Sequence, residues 1–455
     1  MTPARPQKLL IISYLFPPAG GIGVQRALSL AKYFPACGFE VHVLRANNAA
    51  APVKDPGLLK QLPPQLMVHN APTPELPFGF RQGAWRWLSP PKGGSRPAVA
   101  AAQSGQSRLK SMVTGLVRRV LSPEPEVLWV PFALRKARRI VRRHGIEVVL
   151  VTAPPFSAFL VGNALKREFP YLTLVSDFRD EWLKFYLGTF DFQKGDYTRR
   201  RAAEIERETV ERSDLVVAVT YSTRDEMRSR YPGLPDRRFV CLSNGYDPAV
   251  FAGFQSRHHD GTRVVVTHLG TVYDSSSPRY YLDALDAMPD AVRSSIVTRF
   301  IGRVAAQEQA ELESRKSPIE ILGFMAQSDA LRHVETTDYL LLTMTNEISL
   351  PGKLFEYLAT GKPILAITPP GSEVDRILKR TNGGWCAAPG DRSGIQALIS
   401  RAIEFKRVGK SFQSDAQAIC RYERPRLAAE YGELIRSTMK GEIVPTGDSA
   451  VIHGP

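Results

Sequence analysis

At 455 residues the chain exceeds the usual span of one hydrophobic core, so two domains are expected. Its hydrophobic content of 43% marks a globular protein, and no uninterrupted apolar run approaches the ~20 residues that a membrane-spanning helix needs. The net charge of +15 is unevenly placed: residues 81–145 carry fourteen Lys and Arg against only Glu124 and Glu126, a balance that points to an anionic partner such as membrane lipid, nucleic acid or a diphosphate-linked substrate.

The N-terminus leads straight into a strand, K-L-L-I-I-S at residues 8–13, and shows no signal-peptide apolar region. Cys37, Cys241, Cys386 and Cys420 stand singly, a spacing that argues against a zinc site or a disulfide framework and fits a reducing cytosol. After the first strand come the loop P-P-A-G-G-I-G, an amphipathic helix over about 24–34, Gly38 and a second strand, E-V-H-V-L at 40–44. A βαβ opening of this kind predicts a parallel, doubly wound α/β sheet. Gly20, Gly21 and Gly23 suggest a dinucleotide fingerprint, but Arg26 stands where its third glycine belongs, so NAD is not expected. Close backbone approach to a phosphate or an acceptor remains a reason for these glycines, with Gln25 and Arg26 behind the loop to orient the acceptor.

Residues 45–130 read as an insertion rich in Pro, Gly, Ser and Ala, with Trp85 and Trp87 inside it. Leu109, Met112, Val113, Leu116, Val117 and Val120 recur at helical spacing beside Arg108, Lys110, Arg118 and Arg119, the pattern of an interfacial helix. Arg135, Arg138, Arg139, Arg142 and Arg143 then fall on one helical face. A solvated face over the core is the preferred reading of those arginines taken alone. Together with the Trp pair they form a candidate membrane surface.

Further strands are expected at 148–152, 172–176 and 215–219, each short, apolar and β-branched, as strands buried on both faces should be. Asp177, Arg179 and Asp180 follow one of them, where ligand-contacting residues belong; an internal salt bridge between Arg179 and one aspartate is the alternative. A second alternating unit begins near Val240, after which N-G-Y-D at 244–247 supplies a turn. Its strands are expected at 263–268, 297–301, 339–343 and 363–367. The expected domains are thus 1–238 and 239–420, then a helix over 421–440 and a disordered tail over 441–455. Two such sheets would present their carboxyl ends to one cleft.

The stretch N-E-I-S-L-P-G-K-L-F-E-Y-L-A-T-G-K-P-I-L-A-I at 346–367 breaks from a loop into a helix. Pro351 and Gly352 mark the turn, and Gly361 ends the helix. Amides at such a helix start make an anion site, Lys353 adds a point charge, and Glu356 one turn on can accept hydrogen bonds from two hydroxyls. Diphosphate and ribose are the natural occupants; a helix with ordinary surface charges is the plain alternative. His268, at a strand end, reads as structural.

That block resembles the donor-site motif of glycosyltransferase family 4, retaining enzymes of the GT-B fold, and the N-terminal half is similar to bacterial members that build exopolysaccharide or O-antigen units. The resembling segments are P-P-A-G-G-I-G-V-Q-R (17–26), T-A-P-P-F-S (152–157), S-D-F-R-D-E-W (176–182), R-S-D-L-V-V-A-V-T (212–220), N-G-Y-D (244–247), L-G-T-V-Y (269–273) and L-G-F-M (322–325). The resemblance implies a nucleotide diphosphate sugar as donor, no catalytic metal and no cofactor. It assigns the ribose to Glu356 and the diphosphate to Lys353 and Arg303, with Gly270, Thr271, Glu347, Leu350, Pro351 and Gly352 around the donor. The first glutamate of the family's paired motif aligns with Ile348, so this chain departs there, and backbone amides at 350–352 are the substitute. It further implies a polyprenyl-diphosphate-linked acceptor, no nucleic acid, and a cytoplasmic protein docked on the inner membrane face through Trp85, Trp87, Arg118, Arg119, Arg135, Arg138, Arg139 and Arg142. A GT-B nucleotide-sugar epimerase and a non-catalytic basic membrane-surface protein are the competing readings.

Overall fold

The computed structural model describes residues 5–49, 51, 53–74, 115–117, 119–187, 195–257, 261–273 and 276–442. Trp85, Trp87, Arg118 and the stretch 108–113 of the expected interfacial helix lie outside them. Two compact units emerge: one holds the chain up to Leu242 and again from Ala428, the other runs Ser243–Leu427.

The first unit is built on a seven-stranded sheet in the order β3-β2-β1-β4-β5-β6-β7. Its strands are β1 Gln7–Ile12, β2 Phe39–Ala46, β3 Met67–Ala71, β4 Val148–Ala153, β5 Thr173–Phe178, β6 Leu215–Ala218 and β7 Phe239–Cys241, all parallel. Every residue of β4, β5 and β6 is buried, because helices cover both faces and leave no solvated side to alternate with. One face packs against the helices Val130–His144 and Phe159–Glu168 through Ala133, Ala137, Phe159 and Leu165. The other packs against the helix Ile22–Tyr33 and against Tyr431, Leu434 and Ile435 of the C-terminal helix Arg424–Lys440.

Three expectations need correction. The first sheet extends to Phe239–Cys241, so the boundary falls after Leu242 and not at 238. The helix expected over 421–440 runs Arg424–Lys440, and its part from Ala428 belongs with the first unit. The insertion over 45–130 is not wholly an addition, because Met67–Ala71 supplies an edge strand. That strand is short and mostly half-buried, which removed the continuous apolar run that made the central strands readable.

The second unit carries six parallel strands in the order β10-β9-β8-β11-β12-β13. They are β8 Val264–Leu269, β9 Ile296–Ile301, β10 Ile319–Gly323, β11 Tyr339–Thr343, β12 Ile364–Ile367 and β13 Gly384–Ala387. β10 and β13 are again edge strands without a fully buried run, and the sequence alone did not reveal them. The helix Lys353–Ala359 lies between β11 and β12 and buries Leu354, Phe355, Tyr357 and Leu358. Its apolar residues thus hold it against the sheet while Lys353 and Glu356 stay half-buried at its first turn. Among the described residues no helix is long and apolar enough to cross a membrane.

Candidate functional site

In the second unit the carboxyl ends of β8, β9 and β10 each close on a glycine with positive φ: Gly270 (123°), Gly302 (137°) and Gly323 (73°). Gly270 N donates to Ile301 O, and Gly302 N to Gly323 O, each at 2.8 Å. A Cβ at position 302 would sit 2.3 Å from Gly270 O, so only glycine permits these strand ends to approach so closely. The result is a bare backbone edge beside the start of the Lys353–Ala359 helix. The Lys353 stem runs past it, 3.7 Å from where a Gly270 Cβ would be.

Lys353 Nζ lies 2.8 Å from His268 Nε2, across 85 residues of sequence. His268 is fully buried at the end of β8. Burial, reinforced by the Lys353 charge, holds its pKa well below the ordinary value, so the ring is neutral. With Nε2 as acceptor its proton sits on Nδ1. Burial also brings Lys353 down to about 7. The amine is therefore poised: burial disfavours its charged form, and an anion at the helix start would restore it. The sequence reading put Lys353 here but treated His268 as structural, and only its place at a strand end hinted at the contact.

The loop before this helix is a tight turn. Asn346 Oδ1 accepts from Ile348 N at 3.2 Å and Ser349 N at 2.7 Å, which points the chain through Leu350 and Pro351 into Gly352. Glu356 follows one turn on and borders a narrow hollow walled by Phe251, Leu269, Leu331, Leu340 and Tyr357. Burial raises its carboxyl pKa, and Arg424 opposes the rise. Tyr357 anchors the helix to the strand end, accepting from Leu269 N at 2.7 Å and donating to Leu269 O at 3.0 Å. Arg303 is exposed, with its guanidinium 5.2 Å from the Phe324 ring, and Thr271 and Glu347 are exposed as well. The residues brought together are thus Gly270, Lys353 and His268. A hollow of about 520 Å³ lies beside β13 among Asp375, Trp385, Cys386 and Arg401, and includes none of the expected donor residues.

In the first unit the glycine loop follows β1. Gly20 is buried against Val53 and Asp55, Gly21 is exposed, and Gln25 is half-buried. Arg26 takes a different part from the one expected. Its Nε and Nη2 make a fork onto Asp177, with contacts of 2.7–3.0 Å, and the two side chains are 9% and 0% exposed. Thr152 Oγ1 donates to Asp177 Oδ2 at 2.6 Å, and Tyr431 hydroxyl to Oδ1 at 3.4 Å. Arg179 donates to the carbonyls of Gly23 and Pro154 and so joins the loops after β1 and β4. Arg26, Asp177 and Arg179 are framework, while Asp180, half-buried and raised by burial against the pull of Arg179, stays at the strand end. Glu124, which the sequence offered only as a charge, is buried and accepts from Ser157 N at 2.6 Å, capping the turn after β4. Burial, with Glu126 nearby, raises its pKa to about 8.

The Arg26–Asp177 pair carries a stability prediction. Arg26→Ala strands a buried carboxylate, so unfolding free energy is expected to fall by about 3–5 kcal/mol. Urea unfolding followed by circular dichroism measures it; a loss below about 1 kcal/mol would show that Thr152 and Tyr431 suffice.

The family model described as Glycosyltransferase Family 4 matches residues 91–250, and that described as Glycosyl transferases group 1 matches residues 263–404. A curated relative, the probable glycosyltransferase WbjE of Pseudomonas aeruginosa, is 27% identical over 111 residues, which span 23% of this chain and 28% of that protein. Among solved structures, Anabaena Alr3699/HepE in complex with UDP and glucose matches with a TM-score of 0.59 at 15% identity, over 95% of this chain and 100% of that one. The lipopolysaccharide outer core galactosyltransferase WaaB matches at 0.60 and 13%, over 95% and 99%. Sucrose-phosphate synthase from Thermosynechococcus elongatus matches at 0.62 and 11%, over 96% and 100%. At such identities these structures speak for the fold alone.

Proposed function

The chain belongs to the family 4 glycosyltransferases of GT-B fold, and from that premise we propose that it moves a sugar, with retention of configuration, from a nucleotide diphosphate sugar to a hydroxyl of a lipid-linked glycan in surface polysaccharide synthesis. The observation that carries the donor side is Lys353, desolvated at a helix start, beside the bare backbone edge of Gly270. The leaving group is a diphosphate, so the main catalytic demand is to stabilise its growing charge. Lys353 meets that demand at the helix start, with neutral His268 holding its ammonium in place. Glu356 takes the ribose hydroxyls. In a retaining transfer the departing phosphate itself accepts the acceptor proton, and no strong protein base is required.

Support for the donor class comes from HepE, whose complexes contain UDP and glucose; WaaB, named as a lipopolysaccharide outer core galactosyltransferase, supports the acceptor class. The test is a thermal-shift panel of UDP-, GDP- and ADP-sugars. The stabilising donor is then supplied with polyprenyl-diphosphate glycans, and the anomeric configuration of the product is read by NMR. No stabilisation by any donor, together with no transfer, would refute this function.

Docking of this enzyme on an anionic membrane rests on the helix Val130–His144. Two of its expected arginines are engaged within the unit: Arg138 and Arg142 meet Glu168 at 2.6 and 2.7 Å, and Arg142 also lies 5.4 Å over the Phe169 ring. Arg135, Arg139 and Arg143 are exposed on the same helix with Phe132, as are Leu116, Arg119 and Val120 upstream. Changing Arg135, Arg139 and Arg143 together to Gln is expected to lower binding to anionic liposomes at least about 10-fold at low salt, at about 1 kcal/mol per basic residue. Changing Arg138 and Arg142 should cost less. Equal sedimentation of wild type and the triple variant would exclude this face.

A further inference from the structure

Three histidines of the first unit take no part in the proposed transfer. His42 lies within β2, His69 within the edge strand β3, and His144 ends the helix Val130–His144. Strand pairing sets Leu44 opposite His69 and His42 opposite Met67, which brings both imidazoles to one side of the β2–β3 ladder. The helix end then delivers the third ring, its centroid 4.5 Å from that of His42 and 5.7 Å from that of His69. One nitrogen of each ring lies within 4.8 Å of the other two.

The contacts decide which nitrogens are available. Glu40 Oε1 lies 3.3 Å from His42 Nε2 and keeps the proton there, so the His42 Nδ1 lone pair faces His69 Nε2 at 3.1 Å. That separation suits one hydrogen bond, and it equally suits two nitrogens bound to a single ion at roughly 2.0–2.1 Å each. A carboxylate behind a histidine is also the usual partner that orients a metal-binding ring. Two cations face the cluster. Lys8 Nζ donates to His144 O at 2.9 Å and lies 3.8 Å from Glu40, and Lys136 adds its charge near His69. They weaken the attraction for a dication but supply no competing ligand.

We propose that His42, His69 and His144 form a binding site for one transition-metal ion of the Zn2+ class, with a water completing the coordination. The site lies toward the amino-terminal half of β2, whereas the glycine loop and Asp177 stand at the carboxyl ends of β1 and β5. A metal there ties the short edge strand β3 to β2 and to the end of the basic helix. Its part is structural, and the sugar transfer does not require it.

The test uses the full chain freed of any affinity tag and stripped with EDTA. Titration with Co2+ should give one equivalent with visible absorption bands of nitrogen ligation, and stoichiometric Zn2+ should displace it and raise Tm by a few degrees. In His69→Gln/His144→Gln the bands and the Tm rise should be lost, with at least a 10-fold weaker apparent Kd. Equal metal stoichiometry and Tm response in wild type and this variant would overturn the proposal. If the variant does not fold, protection of the half-buried His69 and His144 of the wild type from diethyl pyrocarbonate by one equivalent of Zn2+ decides it: protection supports the site, and unchanged modification overturns it.

Discussion

Lys353→Met is expected to lower kcat/KM for the donor by about 100- to 1,000-fold while leaving the fold intact, the range for loss of one preorganised group that faces developing charge. The side chain is desolvated, touches His268 and spans the Gly270 edge, so methionine keeps the packing and removes only the charge. The pH dependence follows from the lowered pKa. Lys353 binds its proton with a pKa of about 7 in the folded protein, against an ordinary value of 10.5. A diphosphate prefers the charged form, so donor affinity should decline as pH rises above about 7, by up to tenfold per unit, and binding in that range should take up a proton. Stability of the ligand-free protein runs the other way: between about 7 and 10.5 the unfolded chain holds a proton that the folded one lacks, so this group makes folding more favourable as pH rises. Calorimetry in two buffers of different ionisation enthalpy detects the proton, and melting curves of wild type and Lys353→Met across pH isolate the stability effect. A flat affinity profile between pH 6 and 9 would remove Lys353 from the diphosphate.

The second large effect is that of Glu356→Ala. Two hydroxyls of a ribose bound to one carboxylate represent charge-assisted hydrogen bonds worth about 1.5–3 kcal/mol, so kcat/KM is expected to fall roughly 10- to 150-fold. The carboxyl sits at the rim of an apolar hollow, where burial raises its pKa and Arg424 restrains it. Donor binding needs the ionised form. Affinity should therefore strengthen as pH rises through the Glu356 pKa and weaken again as Lys353 loses its proton, giving a bell whose alkaline limb Lys353 sets. Unchanged donor affinity and turnover in Glu356→Ala would remove the ribose assignment, and the Tm of the variant controls for the fold.

The two glutamate positions of the expected motif illustrate the reach of sequence reading here. Glu356 and the Pro351–Gly352 helix start were legible because a helix start is written in neighbouring residues. Ile348 stood out as a departure only through the resemblance to the family motif, and the structure supplies its context: it lies in a turn capped by Asn346, whose Oδ1 accepts from Ile348 N and Ser349 N. Arg26 was misread. Its place behind a glycine loop suggested contact with the acceptor, yet Asp177, 151 residues away, takes its guanidinium. Nothing near Arg26 in the chain announces that partner.

The sequence by itself determined the α/β class, the two alternating units, the central strands and the start of the helix Lys353–Ala359, because these depend on local periodicity, on continuous apolar runs and on turn residues. It missed β3, β7, β10 and β13, short strands that stand at the edges of their sheets, where burial on both faces is not imposed. Tertiary structure alone decided which polar groups meet: Lys353 with His268, Arg26 with Asp177, and His42 with His69 and His144. The physical reason is that parallel strands neighbour one another in an order the chain does not follow. The side chains at their ends are brought together by sheet order and register, and burial then shifts their charge states in ways that composition cannot show.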